Sequence, residues 1–198
     1  QSCNAPTRML VQRSRYEEAV ETAIKVASAT TVAPAGVDGN QIGPVVSDVQ
    51  WEKIQGLIQK GIDEGGRLVA GGTGRPDGLN RGYFARPTVF ADVTPDMTIW
   101  REEIFGPVLS ITPFDTEEDA LALANDTAYG LTNYVQTADG TRAQRAARAL
   151  RSGMVEINGK SHGPGMPFGG MRQSGNGREG GKWGLEDFLE VKTVTGWA

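Results

Sequence analysis

Apolar residues recur at helical spacing in two stretches of the amino-terminal half of the chain. The first runs from Arg15 to Ala29, with charged residues between its apolar positions, which is the pattern of an amphipathic helix. The second follows Ser47, a favoured N-cap residue, and stops at Gly65–Gly66. The sequence therefore predicts two amphipathic helices, followed by a short strand over Arg67–Ala70 and an extended segment over Tyr83–Val93.

From Pro107 onward the pattern alternates regularly between strand-like and helix-like segments. The predicted elements are strand Val108–Phe114, helix Glu117–Asn125, strand Leu131–Thr137, helix Thr141–Ser152 and strand Met154–Asn158. Two successive strand-helix-strand units imply parallel neighbouring strands, with ligand-facing loops at the carboxyl ends of the strands. We therefore predict an α/β fold in which a mostly parallel, twisted sheet is flanked by helices.

A glycine-rich segment follows the last of these strands. Residues Gly159–Gly177 contain seven glycines and two prolines, too many for a simple connector, and we expect this loop to line a site. A short helix near Glu179–Leu189 and a final strand over Glu190–Trp197 are predicted to close the chain. The predicted organisation is one domain over residues 1–189 and a carboxyl-terminal strand over residues 190–198.

Composition narrows the class of protein. The chain has 198 residues, 38% of them hydrophobic, and a formal net charge of -4, which favours one globular domain and opposes a nucleic-acid or anionic-membrane surface. A single cysteine, no apolar leader and no run of about 20 apolar residues lead us to expect a soluble, cytoplasmic protein. One cysteine and one histidine cannot supply the usual ligand set, so no metal site is predicted.

Two segments carry candidate chemistry, and each has a purely structural interpretation. Cys3 is either a small buried hydrophobe or a nucleophile, and the small and polar residues around it indicate a helix or turn start that would favour a thiolate. The segment Arg101–Val108 is either a solvated acidic turn or a binding site. In the second case a carboxylate accepts hydrogen bonds from sugar hydroxyls beside a ring that packs on a planar heterocycle.

Two other function classes compete. Gly159-Lys160-Ser161 after a strand imitates the end of a P-loop, but that motif needs a glycine five residues earlier, where Met154 stands. We therefore reject a nucleotide phosphate-binding protein of that type. The other class is a non-catalytic interaction or scaffold module derived from an enzyme, which an unreactive Cys3 would favour.

Several motifs in one order point to a known family. They are Gln1-Ser2-Cys3, Thr7-Arg8, Glu102-Glu103-Ile104-Phe105-Gly106-Pro107-Val108, Ala124-Asn125-Asp126, Tyr129-Gly130-Leu131, Pro167-Phe168-Gly169-Gly170, Ser174-Gly175 and Gly177-Arg178-Glu179. In order and spacing the chain resembles the NAD(P)-dependent aldehyde dehydrogenase superfamily over essentially its whole length.

The resemblance implies a role for particular residues. Cys3 corresponds to the nucleophile, which forms a thiohemiacetal and then a thioester with the aldehyde. Glu103 corresponds to the acceptor of hydrogen bonds from the nicotinamide ribose of NAD or NADP, and Phe105 to the ring beside the nicotinamide.

Ser2, His162 and Phe168 are the substrate-binding residues that the resemblance implies, with Phe168 and His162 at positions of the aldehyde tunnel. The tunnel position of His162 is often aromatic, so this histidine is a hint of a polar or anionic substrate tail. An exposed loop histidine without a role is the alternative.

The resemblance also implies what this chain lacks. The family's glutamate general base, its oxyanion-hole asparagine and its Rossmann-type dinucleotide-binding domain all lie upstream of the nucleophile. We therefore expect the chain to be a carboxyl-terminal fragment that is inactive alone. The last strand of the family usually lies against a partner subunit, so a homo-oligomer, a dimer or tetramer, is expected for the full enzyme.

Overall fold

A computed structural model describes residues 1–39 and 41–196, which form two compact units, Gln1–Asp126 and Thr127–Ala198. Among the described residues, the first unit contains four strands, four α-helices and one 3-10 turn at Arg13–Arg15. In chain order the strands and α-helices are β1 (Arg8–Gln12), α1 (Tyr16–Ala29), α2 (Asp48–Asp63), β2 (Arg67–Ala70), β3 (Thr88–Ala91), α3 (Thr98–Arg101), β4 (Val108–Phe114) and α4 (Glu117–Asn125).

The strands of the first unit form one sheet in the order β1-β4-β3-β2. β4 pairs in parallel with β1 on one side and with β3 on the other, and β2 completes the sheet antiparallel to β3. The α/β fold with a mostly parallel sheet and flanking helices is confirmed.

Alternate residues of β3 point into two separate apolar clusters, as the pleat of a strand requires. Phe90 packs with Ile54 and Ile58 of α2, and all three side chains are fully buried. Val89 and Ala91 pack in the cluster that contains the buried face of α1. Helices on both faces thus cover the sheet.

The helices begin where the sequence supplies a cap. The hydroxyl of Ser47 accepts a hydrogen bond from Gln50 N, so α2 begins immediately after the predicted cap. Thr116 and Asp119 exchange hydrogen bonds in a capping box at the start of α4. Among the residues that the structure describes, no helix is long and apolar enough to cross a membrane.

The second unit contains β5 (Thr132–Val135), α5 (Gly140–Ala149), β6 (Met154–Ile157) and α6 (Gly181–Glu186). β5 and β6 pair in parallel, and α5 begins at Asp139, whose carboxylate accepts from Thr141 N and Arg142 N. The segment between β6 and α6 is irregular except for a single 3-10 turn at Arg172–Ser174.

The structure corrects the predicted order of strands. The first predicted strand-helix-strand unit was expected to place β4 and β5 side by side in one sheet. Instead, β5 pairs with β6 in a separate two-stranded sheet. The prediction was wrong because β1 and β3 already occupy both edges of β4.

Two further differences lie near the chain ends. The segment after Cys3 was expected to start a helix or a turn; a turn is present, but the strand β1 follows it. At the other end, residues 190–196 form no strand in the single chain, and Trp197 lies outside the described residues. A strand takes its hydrogen bonds from a neighbouring strand, so pairing of this segment with a second subunit stays a prediction.

Candidate active site

Cys3 lies in a tight turn ahead of β1. We call residues 1–5 the Cys3 turn; it is closed by a hydrogen bond from Ala5 N to Ser2 O at 3.0 Å, and the Cys3 side chain is exposed. The Ser2 hydroxyl lies 2.6 Å from the Asn4 side-chain oxygen, to which it donates. Of the two predicted starts, helix or turn, the structure has the turn, and the effect of its backbone N–H groups on the Cys3 thiolate stays a prediction. What the turn provides is an accessible thiol.

The predicted cofactor residues lie in an irregular loop between α3 and β4, residues 102–107, which we call the Phe105 loop. Ile104 is buried and anchors it, whereas Phe105 has a left-handed backbone with φ of 56°. This conformation costs a residue other than glycine about 1–3 kcal/mol and persists only where the surroundings hold it. A Cβ on Gly106 would lie 2.5 Å from Ile54 Cδ1, so the loop can pack this closely on α2 only with glycine there.

Two glutamine side chains hold the strained loop. The Phe105 carbonyl oxygen accepts from Gln1 Nε2 at 3.0 Å and from Gln50 Nε2 at 3.2 Å. Gln50 also donates to Ile104 O at 2.9 Å, and Val46 N donates to Gln1 Oε1 at 3.1 Å. The structure thus brings the Cys3 turn and the Phe105 loop together.

Sequence reasoning missed both glutamines. Gln1 belongs to a motif that marks Cys3, and Gln50 lies in a helix that is recognised by its apolar face, so neither residue is marked for this contact by its surrounding pattern. Their hydrogen bonds join residues 104 and 55 positions apart. The one available signal was the position of Gln1, two residues before Cys3.

The chemistry of the Phe105 loop fits one end of a nicotinamide cofactor. Glu103 is exposed, and no described side chain bonds to its carboxylate, which leaves it available to accept hydrogen bonds from hydroxyl groups. Phe105 is half-buried, with a ring that can pack on a planar heterocycle. Glu103 and Phe105 therefore have side chains that could hold this end of a nicotinamide cofactor.

The motif residue Arg8 has a structural role beside the Cys3 turn. Its guanidinium donates to Ala124 O at 3.0 Å, near the carboxyl end of α4, and lies over the Trp100 ring. Burial lowers the pKa of Arg8, and the nearby Asp126 carboxylate opposes that shift. Asp126 itself accepts two hydrogen bonds from Arg101, at 2.9 and 2.8 Å, and these lower its pKa. These contacts fix β1 and α4.

In the second unit the structure brings His162 and Phe168 together. Their ring centroids are 5.7 Å apart and tilted by 54°. His162 Nδ1 also lies 3.7 Å from the carboxylate of Glu156, a β6 residue that is only 8% exposed. Sequence reasoning missed Glu156, because one acidic residue in a short strand carries no signal of its own.

Phe168 is held by its neighbours in the glycine-rich motifs. Its backbone exchanges two hydrogen bonds with Glu179, at 2.8 and 2.7 Å. Next to it, a Cβ on Gly153 would meet Gly169 O, and a Cβ on Gly130 would meet Arg151 O. Gly130 and Gly153 therefore allow close backbone packing near Phe168, and their role is structural.

The P-loop alternative does not fit the structure. Asn158 and Gly159 are left-handed, Lys160 N donates back to Ile157 O, and no helix is described in residues 160–171. A P-loop needs a helix amino terminus directly after the loop to hold phosphate. Within residues 1–39 and 41–196, no group of three or more His, Cys, Asp or Glu could hold a metal ion.

Comparison with known proteins places this arrangement in a family. The model of the aldehyde dehydrogenase family matches residues 1–194. A 3-succinoylsemialdehyde-pyridine dehydrogenase from a Pseudomonas species is 49% identical over 197 residues, which cover 100% of this chain and 41% of that protein. The chain belongs to the aldehyde dehydrogenase family.

Solved structures of aldehyde dehydrogenases have the same fold as this chain. The crystal structure of an aldehyde dehydrogenase from Bartonella henselae has a TM-score of 0.97 at 58% identity, covering 100% of this chain and 41% of that one. Aldehyde dehydrogenase C from Pseudomonas syringae, a cysteine-to-alanine variant complexed with NAD+ and octanal, has a TM-score of 0.97 at 44% identity over the same shares. The chain thus spans about 41% of the length of these relatives, consistent with a fragment of an oxidoreductase.

Proposed function

We propose that this chain is the part of an NAD(P)-dependent aldehyde dehydrogenase that supplies the nucleophile and the residues facing the nicotinamide. The observation that carries the proposal is the exposed Cys3 in a turn hydrogen-bonded to the loop of Glu103 and Phe105. The relatives support it, since one is a semialdehyde dehydrogenase and another is complexed with NAD+ and an aldehyde.

The reaction begins at Cys3. Its thiolate sulfur attacks the aldehyde carbon, a carbon–sulfur bond forms, and the carbonyl oxygen becomes an oxyanion. The Cys3 backbone N–H stabilises this oxyanion, and one such donor is typically worth about 3 kcal/mol. An oxidised nicotinamide held by Glu103 and Phe105 would supply the acceptor for the hydride that leaves the carbon. Cys3 then carries a thioester, which water cleaves to the carboxylic acid and the free thiol.

The remaining residues position the reactants. Glu103 binds the ribose hydroxyls and Phe105 packs beside the nicotinamide, while Ser2, His162 and Phe168 contact the aldehyde. His162 suits a substrate with a polar or anionic tail, because imidazole can hydrogen-bond where a phenyl ring cannot. The working enzyme is proposed to be a cytoplasmic homo-oligomer.

The 198-residue chain alone is proposed to be inactive. The resemblance implies that the general base that assists hydrolysis of the thioester lies upstream of Cys3, and such assistance is commonly worth about a hundredfold to ten-thousandfold in rate. In this proposal Glu103 and Phe105 contact only the nicotinamide end of the dinucleotide.

The test compares the rate of Cys3 alkylation by iodoacetamide in this chain and in a protein that restores the upstream length of the relatives. We expect restoration to accelerate alkylation near neutral pH and to bring NAD(P)-dependent aldehyde oxidation that Cys3→Ala abolishes. Met154→Leu, a conservative substitution at a buried position of the second unit, provides the control. If Cys3 is inert in both proteins, a scaffold function replaces the enzyme.

A further inference from the structure

The side chain of Gln1 joins two segments that are far apart in sequence. Its Nε2 donates to Phe105 O at 3.0 Å, and its Oε1 accepts from Val46 N at 3.1 Å. Cys3 lies two residues further along, within the same turn. Gln1 is therefore a direct hydrogen-bonded link between the Cys3 turn and the Phe105 loop.

The link ends on the strained residue of the loop. Phe105 is left-handed, and its carbonyl takes one amide donor from Gln1 and another from Gln50 of α2. Gln50 fastens the loop to a helix, whereas Gln1 fastens it to the segment that carries the thiol. Loss of the Gln1 donor would leave the loop on α2 but release it from the Cys3 turn.

We propose that Gln1 is a positioning residue, whose Nε2–H bond to Phe105 O sets the Cys3 turn against the nicotinamide-facing loop. A cofactor held by this loop then changes the reactivity of the Cys3 thiol through Gln1. The inference rests on the proposed function, since it takes Cys3 as the nucleophile and Phe105 as a cofactor contact.

Two substitutions separate the two hydrogen bonds of the Gln1 side chain. Gln1→Glu keeps an acceptor for Val46 N but removes the donor to Phe105 O. Gln1→Lys keeps a donor on a slightly longer stem and removes the acceptor. If the bond to Phe105 matters, the glutamate variant is impaired and the lysine variant resembles the wild type. A role confined to anchoring Val46 predicts the opposite order.

Three readouts are measured in the full-length enzyme. Gln12→Glu, at an exposed position, is the matched control. The readouts are amide exchange of residues 104–106, the KM for NAD against kcat, and the ratio of Cys3 alkylation rates with and without NAD. Taking this ratio within each variant cancels the direct effect of the new charge on the thiol. Amide exchange needs neither cofactor nor activity.

For Gln1→Glu we expect faster exchange in the loop, a KM for NAD raised about two- to twelvefold, the range of one net hydrogen bond, and an alkylation ratio close to unity. The positioning role of Gln1 would be overturned if Gln1→Glu had the wild-type amide exchange in the loop and the wild-type ratio of alkylation rates. It would also be overturned if Gln1→Lys were impaired as much as Gln1→Glu. Failure of the proposed function is distinguishable: the wild-type enzyme would then show no NAD(P)-dependent aldehyde oxidation, whatever the exchange data give.

Discussion

Gly153, just before β6, stands where the structure leaves no room for a side chain. A Cβ at this position would lie 1.8 Å from Gly169 O, 2.7 Å from Gly169 C and 2.9 Å from Gly170 Cα. Real Cβ atoms essentially never approach closer than 3.0 Å, so in Gly153→Ala the Gly169 oxygen must retreat by more than an ångström. All three atoms belong to the backbone, and no change of rotamer relieves the clash.

The expected magnitude follows from this geometry. Overpacking a well-packed region typically costs about 1–3 kcal/mol, and more where the backbone has to shift. We therefore expect Gly153→Ala to lower the free energy of unfolding by about 3 kcal/mol or more. Phe168 is bonded to Gly169 and moves with it. Because a misplacement of about 1 Å can cost a hundredfold in rate, kcat/KM of the full-length enzyme should also fall by about that factor.

Urea unfolding followed by circular dichroism measures the loss, with Gly140→Ala as the matched control. Gly140 is the first residue of α5, its backbone is not left-handed, and a Cβ there meets nothing within 4 Å. Alanine should stabilise this position by about 0.5–1 kcal/mol, because it restricts the unfolded chain. The reasoning is refuted if Gly153→Ala unfolds within about 1 kcal/mol of the wild type, well below the overpacking cost.

Three further predictions concern the first unit. Ile58 is fully buried in the cluster beneath α2, so Ile58→Ala should cost about 2–5 kcal/mol and Ile58→Val about 0.5–1.5 kcal/mol by urea unfolding. The Tyr16 hydroxyl donates to Asp92 Oδ1 and accepts from Asp92 N; Tyr16→Phe should therefore lower the free energy of unfolding by about 1–3 kcal/mol, and an unchanged urea midpoint would contradict this. The hydrogen bond from Arg67 is the main cause that lowers the pKa of Asp92 below 3.8. The ionised Asp92 carboxylate therefore stabilises the fold fully above pH 3.8, and this stabilisation is lost as the pH falls through the lower pKa of the folded state. The difference in urea midpoint between the wild type and Asp92→Asn should accordingly shrink below pH 3.8, and a difference that stays constant down to pH 2 would count against this role.

Local patterns in the sequence were sufficient for most of the helices and for the longest strand. Periodic apolar residues and a capping serine located α2, and β4 has the predicted bounds, Val108–Phe114. The five-residue strand β1 was missed, since it follows a polar motif that was interpreted as a turn or helix start. Which strands share a sheet could not be predicted, because the pairing of β1 and β3 with β4 depends on distant segments of the chain.

The candidate site shows the same division between local and distant information. Cys3, Glu103 and Phe105 were found because motifs mark them, and their roles stay predictions. The hydrogen bonds from Gln1 and Gln50 to the Phe105 carbonyl could not be found, since no short motif encodes a contact between two loops and a helix. The left-handed backbone of Phe105 was equally hidden, because glycine is the residue expected in that conformation.

The family motifs, together with the glycines packed against them, contain residues with two different physical roles. Arg8 bonds to a helix carbonyl, and Gly153 leaves room for a neighbouring backbone, so substitution of either should change stability first and activity as a consequence. Cys3 and Glu103 are exposed, so the fold does not require their side chains for packing. Surface substitutions of this kind usually change stability by less than about 0.5 kcal/mol. A variant of Cys3 or Glu103 that folds normally but loses turnover would therefore show that the side chain acts in catalysis and not in folding. A variant of Arg8 or Gly153 cannot show this, because its stability changes as well.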